Sequence, residues 1–348
     1  MYRFLTSAVG GAAMVLAFGL ADVEPAAAQD KTQIRWATSA VGSSGHRALV
    51  ALATLLNREM PEYEITVLPT PGAAATVRGF SAGEFDGYYG ADVAYHEIAG
   101  RGGRYRDFDP GAGKELVQSF WSFTLEIGLG ISAAKRDQYS GWGDLSGKNV
   151  FTGPAPWDTR AALERALAAL DVGHQYVELD LGIAGSALQE GQIEAFSVYT
   201  TGESSPAPWV TEAMLTAEVA VLNPSDEEIE KLRAAGIDVV RVATGAFETD
   251  VGVEEAVFVP LFYGFHLGLD IPEDDVYRML TVIEERAQEL AQSDAGFNQL
   301  AEDMLELQRR GIASVPDSVR IHPGLARFLR ERNAWDGAWD GRIADKQG

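Results

Sequence analysis

Cysteine is absent from all 348 residues. That excludes disulfide frameworks, thiolate catalysis and cysteine-ligated zinc, and leaves the redox compartment unread from cysteine pairing. Histidine is scarce, with five in the chain, His46, His96, His174, His266 and His322, and they are scattered. His96-Glu97 lacks the second histidine of a zinc-hydrolase helix. Positive charge is also in short supply: 28 Lys and Arg face 51 Asp and Glu, a net charge of −23. Such a surface repels nucleic acid and anionic lipid, so neither is expected as a partner. It repels anionic ligands at long range too, so an anion site here needs concentrated local dipoles or arginines. No interior stretch reaches the ~20 apolar residues of a membrane span.

Several catalytic signatures fail as well. Gly42-Ser-Ser-Gly45 is one residue short of a nucleophile elbow. No Gly-x-Gly-x-x-Gly follows a strand. Gly147-Lys148 is no phosphate loop, because Trp142 stands where the motif needs glycine and Asn149 follows the lysine. Carboxylates are too numerous for any pairing to be informative. Catalysis has no positive signal, and no metal or cofactor is expected.

What is present is a chain that is 46% hydrophobic, enough for a large core and two lobes. The N-terminus reads as an export leader: Arg3, the apolar stretch Ala8 to Leu20, then Ala26-Ala27-Ala28 as a small-residue cleavage site before Gln29. With no cysteine after that stretch a lipoprotein anchor is excluded, and a periplasmic mature protein starting near Gln29 is expected.

Ile34 to Met60 sets the organising pattern. A short strand enters a Gly/Ser loop that opens onto a helix with Leu49, Leu52, Ala53 and Leu56 on one face. Ser43 or Ser44 is the expected N-cap and Pro61 the stop. A strand–loop–helix junction of this kind aims free backbone N–H groups and the positive end of a helix dipole at the loop, as an anion site requires, although an ordinary capped unit looks the same. The construction returns at Gly153-Pro-Ala-Pro-Trp-Asp158, where Leu163, Ala166, Leu167 and Leu170 form the stripe and Asp158 is the expected N-cap. Between and beyond them strands and helices alternate. Strands are expected at Glu64 to Leu68 and before Gly90, a helix from Asp92 as N-cap, and a surface loop over Gly100 to Gly113. Phe120 to Ser132 and Val257 to Leu269 are long apolar strands, candidate hinges. Helices follow over Asp275 to Gln292, Asn298 to Arg310 and after His322, and the Trp-rich tail reads as peripheral. Alternation of this kind predicts an α/β fold with a parallel sheet covered on both faces, its ligands lying beyond the strand C-termini.

Residues of recognition type cluster at the same junctions. Tyr88, Tyr89, Trp121, Trp157 and Tyr199 fall at strand ends or loops, where polar-tipped aromatics line clefts or pack lobes together. Arg47, Arg78 and Arg160 lie in the first turns of loop-following helices, where a guanidinium grips a carboxylate bidentately or faces solvent. Asp158 either accepts an amine or caps its helix.

These pieces resemble the TAXI branch of the solute receptors of tripartite ATP-independent periplasmic (TRAP) transporters. The resemblance rests on Ala37-Thr38…Gly42…Gly45, Leu68-Pro-Thr-x-Gly72, Ala82-Gly-Glu-x-Asp86 and Asp92-Val-Ala-Tyr95. It continues through Asp144-Leu-x-Gly-Lys148, Gly153-Pro154, Gly191-x-Ile-x-Ala195, Pro272-x-Asp-Asp-Val-Tyr277 and His322-Pro-Gly324, covering roughly Gln33 to Arg332. It implies a bilobed periplasmic-binding fold of type II, with one lobe from 29–121 plus 262–348 and the other from 122–261, joined by hinge strands. It implies a ligand-binding, non-enzymatic receptor that takes a small carboxylate (an amino acid or an oxo- or dicarboxylic acid) and delivers it to a TRAP-type membrane permease. The positions expected to face a ligand are Ser39, Val41, Gly42, Ser43, Ser44, His46 and Arg47 in the first loop, Gly72, Ala73, Thr76 and Arg78 in the second, and Trp157, Asp158 and Thr159 opposite. Tyr88, Tyr89, Trp121 and Tyr199 complete the set. The chain departs from the family at Ser44-Gly45-His46-Arg47, at Pro71-Gly72-Ala73 with Thr76, and at Pro156-Trp157-Asp158-Thr159, all in ligand-facing loops. Two other classes fit the same scaffold: a secreted enzyme using Asp158 or His46, and a sensory module presenting ligand to a membrane receptor.

Overall fold

A computed structural model describes residues 31–345, and the leader read at Arg3, Ala8 to Leu20 and Ala26 to Ala28 lies outside them. The chain opens with β1 (Thr32–Thr38), α1 (Ser44–Glu59), β2 (Tyr63–Pro69), α2 (Ala73–Ser81), β3 (Gly87–Ala91) and α3 (Asp92–Ala99). The apolar stripe of α1 is buried as its spacing requires, Leu49, Leu52, Ala53 and Leu56 all facing the core. The Ser43 side chain caps α1 by accepting from the His46 N–H. β1 pairs in parallel with β2 and β3.

The middle comprises β4 (Val117–Gln118), β5 (Trp121–Ser132), β6 (Asn149–Phe151), α4 (Asp158–Ala169), β7 (Gln175–Tyr176), α5 (Ala184–Gln189), β8 (Ala195–Thr201) and β9 (Ser205–Pro206). After these come α6 (Pro208–Thr216), β10 (Val219–Leu222), α7 (Asp226–Ala234), β11 (Val240–Ala243) and β12 (Glu255–Leu267). The chain closes with α8 (Glu273–Glu285), α9 (Ala287–Ser293), α10 (Asn298–Ala313), β13 (Arg320–Ile321) and α11 (Pro323–Glu331).

The α/β expectation holds, and the sheet is mixed rather than parallel. Its order is β2-β1-β3-β12-β5-β8-β6-β7, with β10 added to β5 and β11 to β12. The two long apolar strands produce the mixture. β12 runs antiparallel to β3, β5 antiparallel to β12, and β8 antiparallel to β5. Each is buried along nearly its whole length, which is why it reads as a continuous apolar run rather than an alternation. Each also changes partners along its length. β12 pairs β11 through Glu255–Phe258 and β3 through Tyr263–Leu267. β5 pairs β12 through Trp121–Ile127 and β10 through Leu129–Ser132.

Several local expectations need correction. Ala91, not Asp92, is the N-cap of α3, and the Asp92 carboxylate accepts from the Val93 N–H one residue on. Trp157, not Asp158, occupies the cap of α4: its backbone is extended (φ −87°, ψ 145°), and Asp158 is already the first helical residue. Gly100 to Gly113 is not a simple surface loop: a 3₁₀ turn at Gly103–Tyr105 buries the Tyr105 ring completely. The helix expected over Asp275 to Gln292 breaks at Arg286, whose backbone leaves the helical region (φ −110°, ψ 12°).

The C-terminal tail is more than peripheral. Ala344 N–H donates to the Ile321 carbonyl, and the buried Arg342 guanidinium donates to the carbonyls of Ile312, Pro316 and Val319. Burial lowers the Arg342 pKa, with Asp317 opposing. Arg342→Met leaves those carbonyls without their donor, an expected loss of about 1–3 kcal/mol that urea unfolding should register. Among the described residues no helix is long and apolar enough to cross a membrane.

Candidate functional site

The N-termini of α1 and α4 converge on one cavity of about 20 Å³, room for little more than a water molecule. Ser39, beyond the C-terminal end of β1, and Ser43, Ser44 and Gly45 at the start of α1 form one side. Trp157, Asp158 and Thr159 at the start of α4 form another. Tyr89 of β3, Leu125 of β5, Tyr199 of β8 and Tyr263 of β12 supply the floor and walls.

The walls are rigid for identifiable reasons. Tyr89, Tyr263 and Phe123 stand on three adjacent strands and stack, with ring centroids 4.8 Å and 4.9 Å apart and planes within 8° and 15°. Tyr199 accepts a hydrogen bond from Trp209 Nε1 at 3.2 Å. The Trp157 indole N–H donates to the Pro71 carbonyl at 3.2 Å, so the loop before α4 is fastened to the loop before α2. On the α1 side the hydroxyls form a chain. Ser39 Oγ lies 2.5 Å from Ser43 Oγ and 3.4 Å from the Tyr263 hydroxyl, and Ser44 Oγ accepts from Thr201 Oγ1 at 2.8 Å. Gly45 admits the Tyr263 hydroxyl: a Cβ there would lie 2.1 Å from it.

Charge at the site is concentrated in one cluster. Asp158, 3% exposed, has Arg104 Nη2 at 2.7 Å from Oδ1. The two form a buried ion pair, and Arg104 also donates to Glu97 Oε2 (2.6 and 2.8 Å) and to the Pro156 carbonyl (3.2 Å). Burial raises the Asp158 pKa, opposed by Arg104. Burial lowers the Arg104 pKa, but the neighbouring Asp158, Tyr105 and Glu97 outweigh it and hold that pKa above its ordinary value. Tyr105, stacked under the guanidinium, keeps a buried hydroxyl with no hydrogen-bond partner.

Of the residues singled out in the sequence, the structure brings Ser39, Ser43, Ser44, Tyr89, Trp157, Asp158, Thr159 and Tyr199 together around the cavity. The others stand elsewhere. Val41 is 71% exposed. Gly42 makes the turn with φ +89°. His46 is half-buried just outside the cavity lining. Gly72 lies under the Pro156 carbonyl, Ala73 is in the core, and Thr76 Oγ1 bonds the Tyr89 and Ala73 carbonyls.

Tyr88 and Trp121 are core rings that flank the fully buried His266, and the Tyr88 hydroxyl is spent on Tyr95 and the Val117 carbonyl. None of the three arginines reaches the cavity. Arg47 pairs with Asp294 (2.7 Å), Arg78 donates to the Arg104 carbonyl, and Arg160 stacks 3.8 Å over Tyr176. Sequence reasoning missed Leu125, Tyr263, Arg104 and Glu97. Tyr263 was hidden in a uniformly apolar strand, and Arg104 in a Gly-rich segment that looks solvent-exposed.

The chain belongs to the NMT1-like family, whose model matches residues 36–332. Comparison with curated proteins finds no match. Among solved structures the chain is similar to the alkanesulfonate-binding protein SsuA from Xanthomonas axonopodis pv. citri bound to MOPS, with 15% identity over 82% of this chain and 85% of that one and a TM-score of 0.44. It is similar to the periplasmic aliphatic sulphonate binding protein SsuA from Escherichia coli, with 16% identity, coverages of 86% and 83% and a TM-score of 0.42. It is also similar to an amino acid ABC transporter substrate-binding protein, AbpA from Streptococcus pneumoniae, bound to L-arginine, with 12% identity, coverages of 79% and 95% and a TM-score of 0.40.

Proposed function

We propose that this protein is an exported solute receptor that closes two lobes on a small ligand and presents it to a TRAP-type membrane permease. The observation that carries the reading is the cavity itself, where two helix N-termini and four polar-tipped aromatics from opposite sides of the chain meet. In this reading one lobe is 29–121 plus 262–348 and the other 122–261. The partner exchange along β5 and β12 supports it, because strands that leave one half of the sheet and enter the other are where a hinge belongs. Contacts across the proposed cleft support it too: Trp157 to Pro71, Arg104 to Asp158 and Thr201 to Ser44. At about 20 Å³ the cavity is too small for such a solute, so in this reading a ligand binds by separating these contacts.

The ligand's carboxylate is assigned to the α1 side. There Ser39, Ser43 and Ser44 offer hydroxyls, and the first-turn N–H groups of Ser44 and Gly45 are those a helix leaves without intrahelical acceptors.

Titration calorimetry of refolded protein against amino acids, oxo acids and dicarboxylic acids tests the reading. One of these is expected to bind, and Trp157→Ala is expected to weaken it at least tenfold by removing a wall of the cavity. No binding across the panel, or binding indifferent to Trp157→Ala, would falsify it.

A further inference from the structure

We infer that the loop opening α4 is an autoinhibitory clasp, which the protein closes on its own opposite lobe and which competes with solute for the cleft; this rests on the receptor reading above. Three contacts across the cleft converge on Pro156-Trp157-Asp158. The Pro156 carbonyl accepts from Arg104 Nη1 at 3.2 Å, the Trp157 indole N–H donates to the Pro71 carbonyl at 3.2 Å, and Asp158 is ion-paired with Arg104 at 2.7 Å.

Both halves of the clasp are preset within their own segments. Glu97 takes two N–H groups of Arg104, at 2.6 and 2.8 Å, and Arg78 donates to the Arg104 carbonyl. On the other half Pro154 and Pro156 fix their own φ angles, and the Trp157 N–H closes the turn on the Pro154 carbonyl at 3.0 Å. Halves ordered beforehand lose little freedom on joining, so no ligand is needed to bridge them. The fit is also steric. A Cβ at Gly72 would lie 2.8 Å from the Pro156 carbonyl oxygen and 3.1 Å from the Pro156 Cβ, so the two loops approach this closely only because position 72 has no side chain.

The competition follows from shared residues. Trp157 and Asp158 belong both to the clasp and to the lining of a cavity of about 20 Å³. A solute needs them to step back, which breaks all three contacts, and its apparent affinity is reduced by the fraction of molecules that are clasped. Pro71, Gly72, Glu97 and Arg104 stand outside the lining, so the clasp can be weakened without removing a ligand contact. The Thr201 to Ser44 bond is not part of it: Thr201 ends β8, which the sheet holds against β5 at Leu125, beside the proposed hinge.

Hydrogen exchange of the refolded protein, read by mass spectrometry, tests the clasp with two variants. Gly72→Ala is a wedge, and Trp157→Phe keeps a ring but loses the N–H. Both are expected to speed exchange at least tenfold in residues 39–46 and 153–159, the two sides of the cavity, while β5 and β12 stay unchanged. A merely local packing role would confine the change in Gly72→Ala to residues 70–76. That outcome, or residues 39–46 unmoved in both variants, overturns the inference, and Trp157→Phe decides by exchange even if Gly72→Ala fails to fold. Titration calorimetry with glutamate, 2-oxoglutarate and succinate supplies the ligand arm. A probe that binds is expected to bind Gly72→Ala about threefold or more tighter than the parent, or to bind Gly72→Ala alone. Equal or weaker binding by Gly72→Ala overturns the clasp and leaves the receptor reading standing. No binding of any probe by either protein overturns the two together.

Discussion

Replacing Arg104 with methionine is expected to destabilise the protein by about 3–5 kcal/mol near neutral pH, as removal of one partner from a buried ion pair does. Asp158 is 3% exposed, and Arg104 is the cation beside it. Without the guanidinium, the ionised carboxylate must be carried in a low-dielectric site or must take up a proton. Its pKa is raised by burial even with Arg104 present, and the replacement raises it further. The sign follows from linkage. A carboxyl whose native pKa lies above its unfolded value binds more protons folded than unfolded, so stability falls as pH rises through that interval. The Arg104→Met protein is therefore expected to lose stability, as pH rises above the ordinary carboxylate range, more steeply than the parent. The double replacement Arg104→Met with Asp158→Asn should recover most of the loss, because it removes the stranded charge along with its partner. Urea unfolding of the four members of this cycle at two pH values measures it. Additive losses with no recovery in the double variant would show that the pair is not coupled.

The second large effect belongs to Glu126, the one charged residue of β5. It is fully buried, lies opposite Pro260 on β12, and accepts from Thr124, from Thr200 Oγ1 (2.6 Å) and from the Glu203 N–H (2.9 Å). Burial pushes its pKa from 4.5 up to about 8, against the pull of those three donors. Asp92 rises to about 7, also chiefly through burial. Two buried histidines act in the opposite sense: burial lowers His266 to about 3 and His322 to about 4.

Between pH 4.5 and 6.5 the two pairs offset each other, since the carboxyls hold extra protons when folded and the histidines hold fewer. Above pH 6.5 the histidines are neutral in both states, and the carboxyls alone remain. Stability is expected to fall from pH 6.5 to about 8 with a slope approaching 1.4 kcal/mol per unit for Glu126. Glu126→Gln reproduces the protonated shape and cannot ionise. It should match the parent near pH 4, where the carboxyl is protonated in both states, exceed it by about 1 kcal/mol at pH 5.5, and exceed it by about 3–5 kcal/mol at pH 8.5. Thermal unfolding across that range, parent against variant, is the measurement, and parallel curves would remove Glu126 as the cause.

Much of the architecture was legible in the chain. The apolar stripe of α1, the Ser43 cap, the two long apolar strands and the α/β alternation each leave a local periodicity that local physics alone produces. The direction of those long strands was not legible, because a strand buried on both faces looks alike whether its neighbours run parallel or antiparallel. The site was legible by half. Ser43, Ser44, Trp157, Asp158 and Thr159 were found because a loop that opens a helix announces itself. Tyr88 and Tyr89 show where this stops: adjacent residues on a strand point to opposite faces, so one ring reaches the cavity and the other packs beside His266.

What the sequence by itself determined is most of the strands and helices and the apolar face of each, since helix and strand periods, caps and breakers act over a few residues. What only the tertiary structure decided is what each buried group is buried against. Arg47 meets Asp294 across 247 positions, and Glu126 meets Thr200 across 74. Arg104, set in a Gly-rich segment, becomes the cation of the site. A pairing of this kind depends on where distant strands and helices come to rest, and no local spacing carries that information. The charge character of the cleft, one guanidinium between two carboxylates beside a wall of tyrosines, was accordingly set by the fold.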